Sequence, residues 1–168
     1  MSPLRAPQAV PGVHAVADAR HEATVRPMSV DDLDAVMAIE QTAYAHPWSR
    51  GNFLDTLSAG HQALLLEAGG TLIGYYVAMK GVDEVHLLNV TVAPALQGQG
   101  WGRCLLDWLH LWARGEGAQC VWLEVRESNE VAQRVYDHCG YRRVGLRRDY
   151  YPAGRGQREH AIVMSCPL

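Results

Sequence analysis

A chain of 168 residues is sized for one domain, and 48% hydrophobic with 20% charged residues is ordinary for a globular protein. The formal net charge of −3 leaves no basic footprint, so direct nucleic-acid binding is not expected. No apolar run approaches the ~18 residues of a membrane helix, and Pro7, Pro11, Gly12, His14 and Asp18 interrupt any signal-peptide core near the start. A cytoplasmic protein with no membrane contact is the expectation. Cys104, Cys120, Cys139 and Cys166 and the eight histidines are scattered without metal-ligand spacing, so no metal is expected and the thiols read as buried and free.

Residues 1–22 read as a tail without fixed structure, and residues 23–168 as the domain. A short strand over residues 23–26 leads to Ser29, an N-cap with Asp32 three residues on in a capping-box pattern. Leu33, Val36, Met37 and Glu40 then recur at helical spacing. Ser49 caps a second helix over residues 50–58, ended by Gly60. Strands are predicted over residues 61–67, 71–79 and 84–92. Ala68-Gly69-Gly70 is a hairpin signal, Gly81-Val82-Asp83 a second turn, and Pro94 a stop.

From residue 100 to 116 the apolar residues Cys104, Leu105, Trp108, Leu109, Leu111 and Trp112 recur at three and four, predicting a helix that Gly117 closes. Trp108 and Trp112 are open to three readings: core packing, a partner-facing stripe or a stacking platform. Residues 119–125 read as a strand, 129–138 as a helix, and 141–151 with 159–165 as a hairpin across a polar loop at 153–158. The order β-α-α-β-β-β-α-β-α-β-β implies an α/β domain with one mixed sheet covered by helices on both faces.

Between the fourth strand and the third helix lies Gln97-Gly98-Gln99-Gly100-Trp101-Gly102-Arg103. Glycines let backbone N–H groups converge on an anion, and a helix start adds unpaired donors, so a pyrophosphate suits this turn. A glycine-rich turn without a ligand is the plain alternative. The GxxxxGK[ST] loop is absent, and a dinucleotide GxGxxG belongs to a parallel unit, whereas this turn follows an antiparallel meander.

Gln97-x-x-Gly100-x-Gly102 resembles the Q/R-x-x-G-x-G/A signature with which GNAT acetyltransferases hold the pyrophosphate of coenzyme A. Leu88-Asn89-Val90-Thr91-Val92-Ala93-Pro94 resembles the same family's fourth strand. His46-Pro47-Trp48-Ser49, Leu123-Glu124-Val125-Arg126-Glu127-Ser128-Asn129 and Arg147-Arg148-Asp149-Tyr150-Tyr151-Pro152 are similar to the FPWS-like, LEVRxSN and RRxYYP segments of RimI-type members. These members acetylate a ribosomal protein's N-terminal alanine. Together the matches cover the chain from about residue 25 to its end.

The resemblance implies a mostly antiparallel sheet splayed between strands four and five. It implies acetyl-CoA as cosubstrate, held by the backbone of Val90, Thr91 and Val92, by Gln97 through Arg103 (Gly98, Gln99, Gly100, Trp101 and Gly102 between) and by Asn129. Glu124 becomes the general base and Tyr136 the acid that protonates the departing thiolate. Trp48, Tyr150 and Tyr151 border the acceptor, which is the N-terminal alanine of small-subunit ribosomal protein eighteen.

Read from the residues alone, Glu124 faces with Trp122 and Arg126 away from Val121, Leu123 and Val125. There a Glu124–Arg126 ion pair is the alternative to catalysis. Tyr136 is equally a core tyrosine, Asn129 an N-cap, and Arg147 and Arg148 solvated charges. An α-amine, with a pKa near 7.7–8.0 against 10.4 for lysine, needs roughly 3–4 kcal/mol less to be neutral. That favours an N-terminus, with a broader N-terminal or lysine acetyltransferase, a small-molecule amine acetyltransferase or an inactive coenzyme-A-binding module as alternatives.

Overall fold

The computed structural model describes residues 22–168; apart from Glu22, the expected tail lies outside the described residues. The strands are β1 (Thr24–Pro27), β2 (Gln62–Ala68), β3 (Thr71–Lys80), β4 (Glu84–Val92), β5 (Cys120–Arg126), β6 (Arg142–Gly154) and β7 (Gln157–Pro167). The helices are α1 (Leu33–Ala43), α2 (Arg50–Ser58), α3 (Trp101–Gly115) and α4 (Glu130–His138). One mixed sheet runs in the order β1-β2-β3-β4-β5-β7-β6, and only β4 and β5 pair in parallel.

Local chemistry accounts for the ends of these elements. Ser29 and Asp32 make the expected reciprocal contact, Ser29 N donating to Asp32 Oδ2 at 2.7 Å. The first turn after Ser29 is a 3-10 turn, Val30–Asp32, and the α-helix begins only at Leu33. Ser49 Oγ accepts from Asn52 N at 3.2 Å, capping α2 as expected. Gly69 and Gly70 both take positive φ and close the β2–β3 hairpin.

The expected polar loop at 153–158 is instead a two-residue turn. Gly154 pairs with Gln157, and Arg155 and Gly156 both adopt positive φ, so the strands extend to the tip.

Two apolar layers sandwich the sheet. Alternation along β3 sends Tyr76 and Ala78 to the α3 side with Leu105, Leu106 and Leu109, and sends Tyr75 and Val77 to the α1–α2 side with Leu33, Val36 and Phe53. Each fully buried leucine contributes roughly 1.5–3 kcal/mol over its exposed state. The tryptophan stripe divides: Trp112 packs against the core, while Trp108 is 37% and Leu111 59% exposed. Among the thiols, Cys166 is buried and the other three are half-buried, fewer buried than expected. No helix among the described residues is long and apolar enough to cross a membrane.

The feature that shapes everything below is where β4 and β5 part. They pair only from Glu84↔Cys120 to Leu87↔Leu123. The next β4 residue, Leu88, is an extra residue in the β3–β4 ladder, because Ala78 pairs with Leu87 and Val77 with Asn89. A bulge bends its strand, and β4 turns away from β5 at that point.

Gly74 on β3 lies under the diverging segment; a Cβ there would sit 2.3 Å from Thr91 O and 3.2 Å from a Leu105 methyl. Gly74→Ala is therefore expected to destabilise the protein by about 1–3 kcal/mol, as overpacking does. Urea unfolding monitored by tryptophan fluorescence checks this.

Candidate active site

The parted strands open a cleft of about 320 Å³. One wall carries Tyr44, His46 and Trp48 from the loop after α1, another carries Glu124 to Arg126 on β5, and Tyr136, Tyr151 and Asn129 close it.

The β4 edge comes first. Val90 O accepts from Tyr44 Oη at 2.9 Å, and Val92 O accepts from Gln97 Nε2 at 3.1 Å. A strand residue points its N–H and C=O to the same edge. Val90 and Val92 are thus the residues whose backbone faces the parted side, N–H groups included. Thr91 faces β3, and its hydroxyl is buried in contact with Asn89 Oδ1 at 2.8 Å.

Past β4 the chain enters the glycine turn. Gly98 and Gly100 take φ of 74° and 84°, and no atom lies within 4 Å of a Cβ built at Gly98. Cys104 N closes the first turn of α3 onto Gly100 O at 3.3 Å, so Gly102 and Arg103 belong to the amides that a helix start leaves without an intrahelical acceptor. Open, left-handed glycines before a helix start form a cradle for an anion. Trp101 differs from the expectation in one respect: its side chain is buried in the core at 3% exposure, so only its backbone belongs to the turn.

Glu124 is a buried carboxylate in the cleft wall. Its side chain is 5% exposed, and Oε2 lies 2.5 Å from His86 Nε2. Oε1 has no hydrogen bond and lies 3.3 Å from Arg147 Nη1, an ion-pair contact without hydrogen-bond geometry. The alternative Glu124–Arg126 pair does not form. Arg126 instead bonds Glu159 at 2.6 Å and Pro152 O at 2.9 Å, and lies over the Tyr151 ring.

Tyr136 lies in the core and lines the cleft, with no hydrogen bond to its hydroxyl among the described residues. Burial, reinforced by the neighbouring phenols of Tyr44 and Tyr151, pushes the Tyr136 phenol well above the usual tyrosine range. Asn129 Oδ1 accepts from Ala132 N at 3.1 Å as the N-cap of α4, leaving Nδ2 for the cleft that Asn129 lines.

The β6 edge is bent by a wide bulge, in which Arg147 pairs with Ala161 and Tyr151 with Glu159. Arg158 donates to Asp149 O and Tyr150 O at 2.5 Å each, and Asp149 N donates to His160 Nδ1 at 2.9 Å. That bracing aims Tyr151 into the cleft, where its hydroxyl donates to Glu124 O at 3.1 Å. Tyr150 stands outside the cleft lining at 39% exposure, edge-on to Tyr151. Of the three expected acceptor-side residues, Trp48 and Tyr151 line the cleft and Tyr150 does not.

The sequence reading missed Glu40, Tyr44 and His86. Glu40 is 1% exposed beneath the cleft and accepts from Trp48 N at 2.9 Å, from both oxygens' contacts with Asn89 Nδ2 at 3.3 Å, and from Tyr75 Oη. A carboxylate on the apolar stripe of α1 was the available signal, since such groups are buried only when hydrogen-bonded. Tyr44 and His86 carried no comparable mark. Among the described residues no cluster of three or more His, Cys, Asp or Glu could hold a metal.

Residues 33–141 match the model of the Acetyltransferase (GNAT) family. The chain belongs to the GNAT acetyltransferase family. Among GNAT relatives, it is 36% identical over 137 residues to the [ribosomal protein bS18]-alanine N-acetyltransferase of Haemophilus ducreyi, covering 82% of this chain and 94% of that protein. The Escherichia coli K12 protein of the same name is 36% identical over 145 residues, covering 86% and 97%. The crystal structure of the ribosomal-protein-S18-alanine N-acetyltransferase from Escherichia coli superposes with a TM-score of 0.80 at 35% identity, covering 87% of this chain and 94% of that one. A GNAT acetyltransferase from Elizabethkingia anophelis with acetyl-CoA bound shares the fold, with a TM-score of 0.72 at 20% identity over 88% of this chain and 99% of that one.

Glu40→Ala would leave three buried donors unpaired, each worth about 1–3 kcal/mol. We expect a loss of several kcal/mol in total stability, and a smaller loss for Glu40→Gln, which keeps one acceptor oxygen; paired thermal melts compare them.

Proposed function

We propose that this GNAT enzyme transfers the acetyl group of acetyl-CoA to the N-terminal alanine α-amine of ribosomal protein bS18. The observation that carries the reading is the cleft itself: a buried carboxylate and a buried phenol line one opening between parted strands. The substrate follows from relatives of that printed name at 36% identity over nearly their whole length.

Acetyl-CoA supplies an activated thioester carbonyl. The turn around Gly98 and Gly100, with the start of α3, would hold its pyrophosphate, and the backbone of Val90 and Val92 with Asn129 Nδ2 its pantetheine arm. Glu124 Oε1, free of hydrogen bonds, takes a proton from the acceptor ammonium, directly or through a water, so that the amine can attack. An N–H of Val90 or Val92 donates to the carbonyl oxygen as charge develops there. Tyr136 gives its proton to the departing sulfur. Because its phenol is raised above the usual range, the donor stays protonated at neutral pH and beyond pH 10. Trp48 and Tyr151 shape the acceptor side.

The test is mass spectrometry of a peptide copying the alanine N-terminus of bS18, beside a peptide with a blocked N-terminus and a free lysine. One acetyl group on the α-amine alone is expected. Glu124→Gln should lower kcat by about 10²- to 10⁴-fold, the usual reach of general-base catalysis, with acetyl-CoA affinity nearly unchanged. Tyr136→Phe should lower kcat without moving the alkaline limb of the pH profile below pH 9. Acetylation of the lysine peptide would move the function to a broader acetyltransferase, and a fall in acetyl-CoA binding equal to the fall in turnover would make Glu124 structural.

A further inference from the structure

A buried general base is effective only if its carboxylate is held ionised with one lone pair aimed at the acceptor. Eight titratable or charged groups come near Glu124 or share its cleft: His86 and Arg147 at its carboxylate, and Tyr151, Arg126, Tyr136, Glu40, Tyr44 and His46 in the cleft lining. Most are engaged elsewhere. Arg126 is committed to Glu159, and Glu40 to Trp48, Tyr75 and Asn89. Tyr151 bonds the backbone oxygen of Glu124, not its carboxylate. The Tyr136 hydroxyl has no hydrogen-bond partner among the described residues.

Among the described residues, His86 and Arg147 are the two basic groups that contact the Glu124 carboxylate. Arg147 is 47% exposed, lies over both the Trp122 and Tyr150 rings, and makes no hydrogen bond to Oε1. A long exposed side chain in that setting contributes little. His86 differs on every count. Its side chain is 14% exposed, Nε2 is 2.5 Å from Oε2, and the ring stacks on Trp122 with centroids 3.6 Å apart and planes 8° from parallel. The stack is set by the sheet, because His86 and Trp122 are register partners one step before β4 and β5 part. An ionised carboxylate has no proton to give, so Nε2–H is the donor in this contact.

We propose that His86 is a positioning residue for Glu124. Its Nε2–H, clamped by the Trp122 stack, occupies Oε2 and leaves Oε1 as the one oxygen that can receive the acceptor's proton. The proton balance is simple. One proton passes from the ammonium to Glu124 Oε1, and His86 keeps its own throughout. This rests on the reading of Glu124 as the base, and it adds a second requirement that the base be held by a donor from β4.

Two substitutions separate the donor from the stack. His86→Phe keeps a ring on Trp122 and removes the N–H; His86→Gln can return an amide N–H near the Nε2 position. Loss of a hydrogen bond to a charged group predicts a fall in kcat of about 10- to 100-fold for His86→Phe. The peptide KM should stay within about twofold. His86→Gln should recover most of kcat. In a Glu124→Gln background, His86→Phe should add no further loss, because both act through one group.

Equal losses in His86→Phe and His86→Gln, or a rise in peptide KM matching the fall in kcat for His86→Phe, would overturn the proposal. His86→Asn, whose amide is one carbon shorter, supplies a donor-displaced control should His86→Phe melt too low to assay, and it should behave like the phenylalanine variant. If Glu124→Gln itself retains turnover, the base assignment fails first. If Glu124→Gln is inactive while His86→Phe is unimpaired, only the role of His86 fails.

Discussion

Everything functional in this protein depends on β4 and β5 separating after four paired positions. A parallel pair continued to the strand ends would satisfy the backbone of both strands and leave no room for a ligand. The extra residue at Leu88 ends that pairing and exposes polar backbone on both edges. On the β4 side the freed carbonyls are taken by Tyr44 and Gln97, and on the β5 side by Tyr151 and Gln133. The cleft is therefore lined by side chains whose own positions are fixed by the carbonyls they cap.

Around that opening, two buried carboxylates are handled in different ways. Glu40 is saturated: a backbone amide, a phenol and a carboxamide all donate to it, tying the loop after α1 to β3 and β4. Glu124 is left with one oxygen bonded and the other without a hydrogen bond. Saturation suits a structural anchor, and a free lone pair suits proton transfer. The same residue type is thus held in opposite ways around one cleft, by virtue of how many donors reach it.

The β6–β7 hairpin illustrates how an exposed edge strand is put to use. Its residues from Arg142 to Tyr150 are exposed, and the ladder is interrupted at three points. The widest interruption, braced by Arg158 and His160, is the one that turns Tyr151 over Glu124. An edge that would otherwise invite pairing with another chain is twisted and charged, and the distortion supplies the outer wall of the cleft.

Element order, the capping of α1 and α2, the β2–β3 turn and the alternation along β5 were all legible from local pattern, because caps, glycine turns and period-two burial act over a few residues. The glycine turn, Glu124, Tyr136 and Asn129 were legible as a family resemblance. Local pattern misjudged the β6–β7 turn, where Arg155 takes a positive φ that no motif announces. It also could not bring Glu40, Tyr44 and His86 to the cleft, since their partners on the sheet lie 35 to 49 residues away in the chain. By itself the sequence determined which residues could bind, donate or accept. The tertiary structure decided which of Glu124's oxygens is left without a hydrogen bond, because that depends on strand register and on a bulge, and both are set by packing between distant segments.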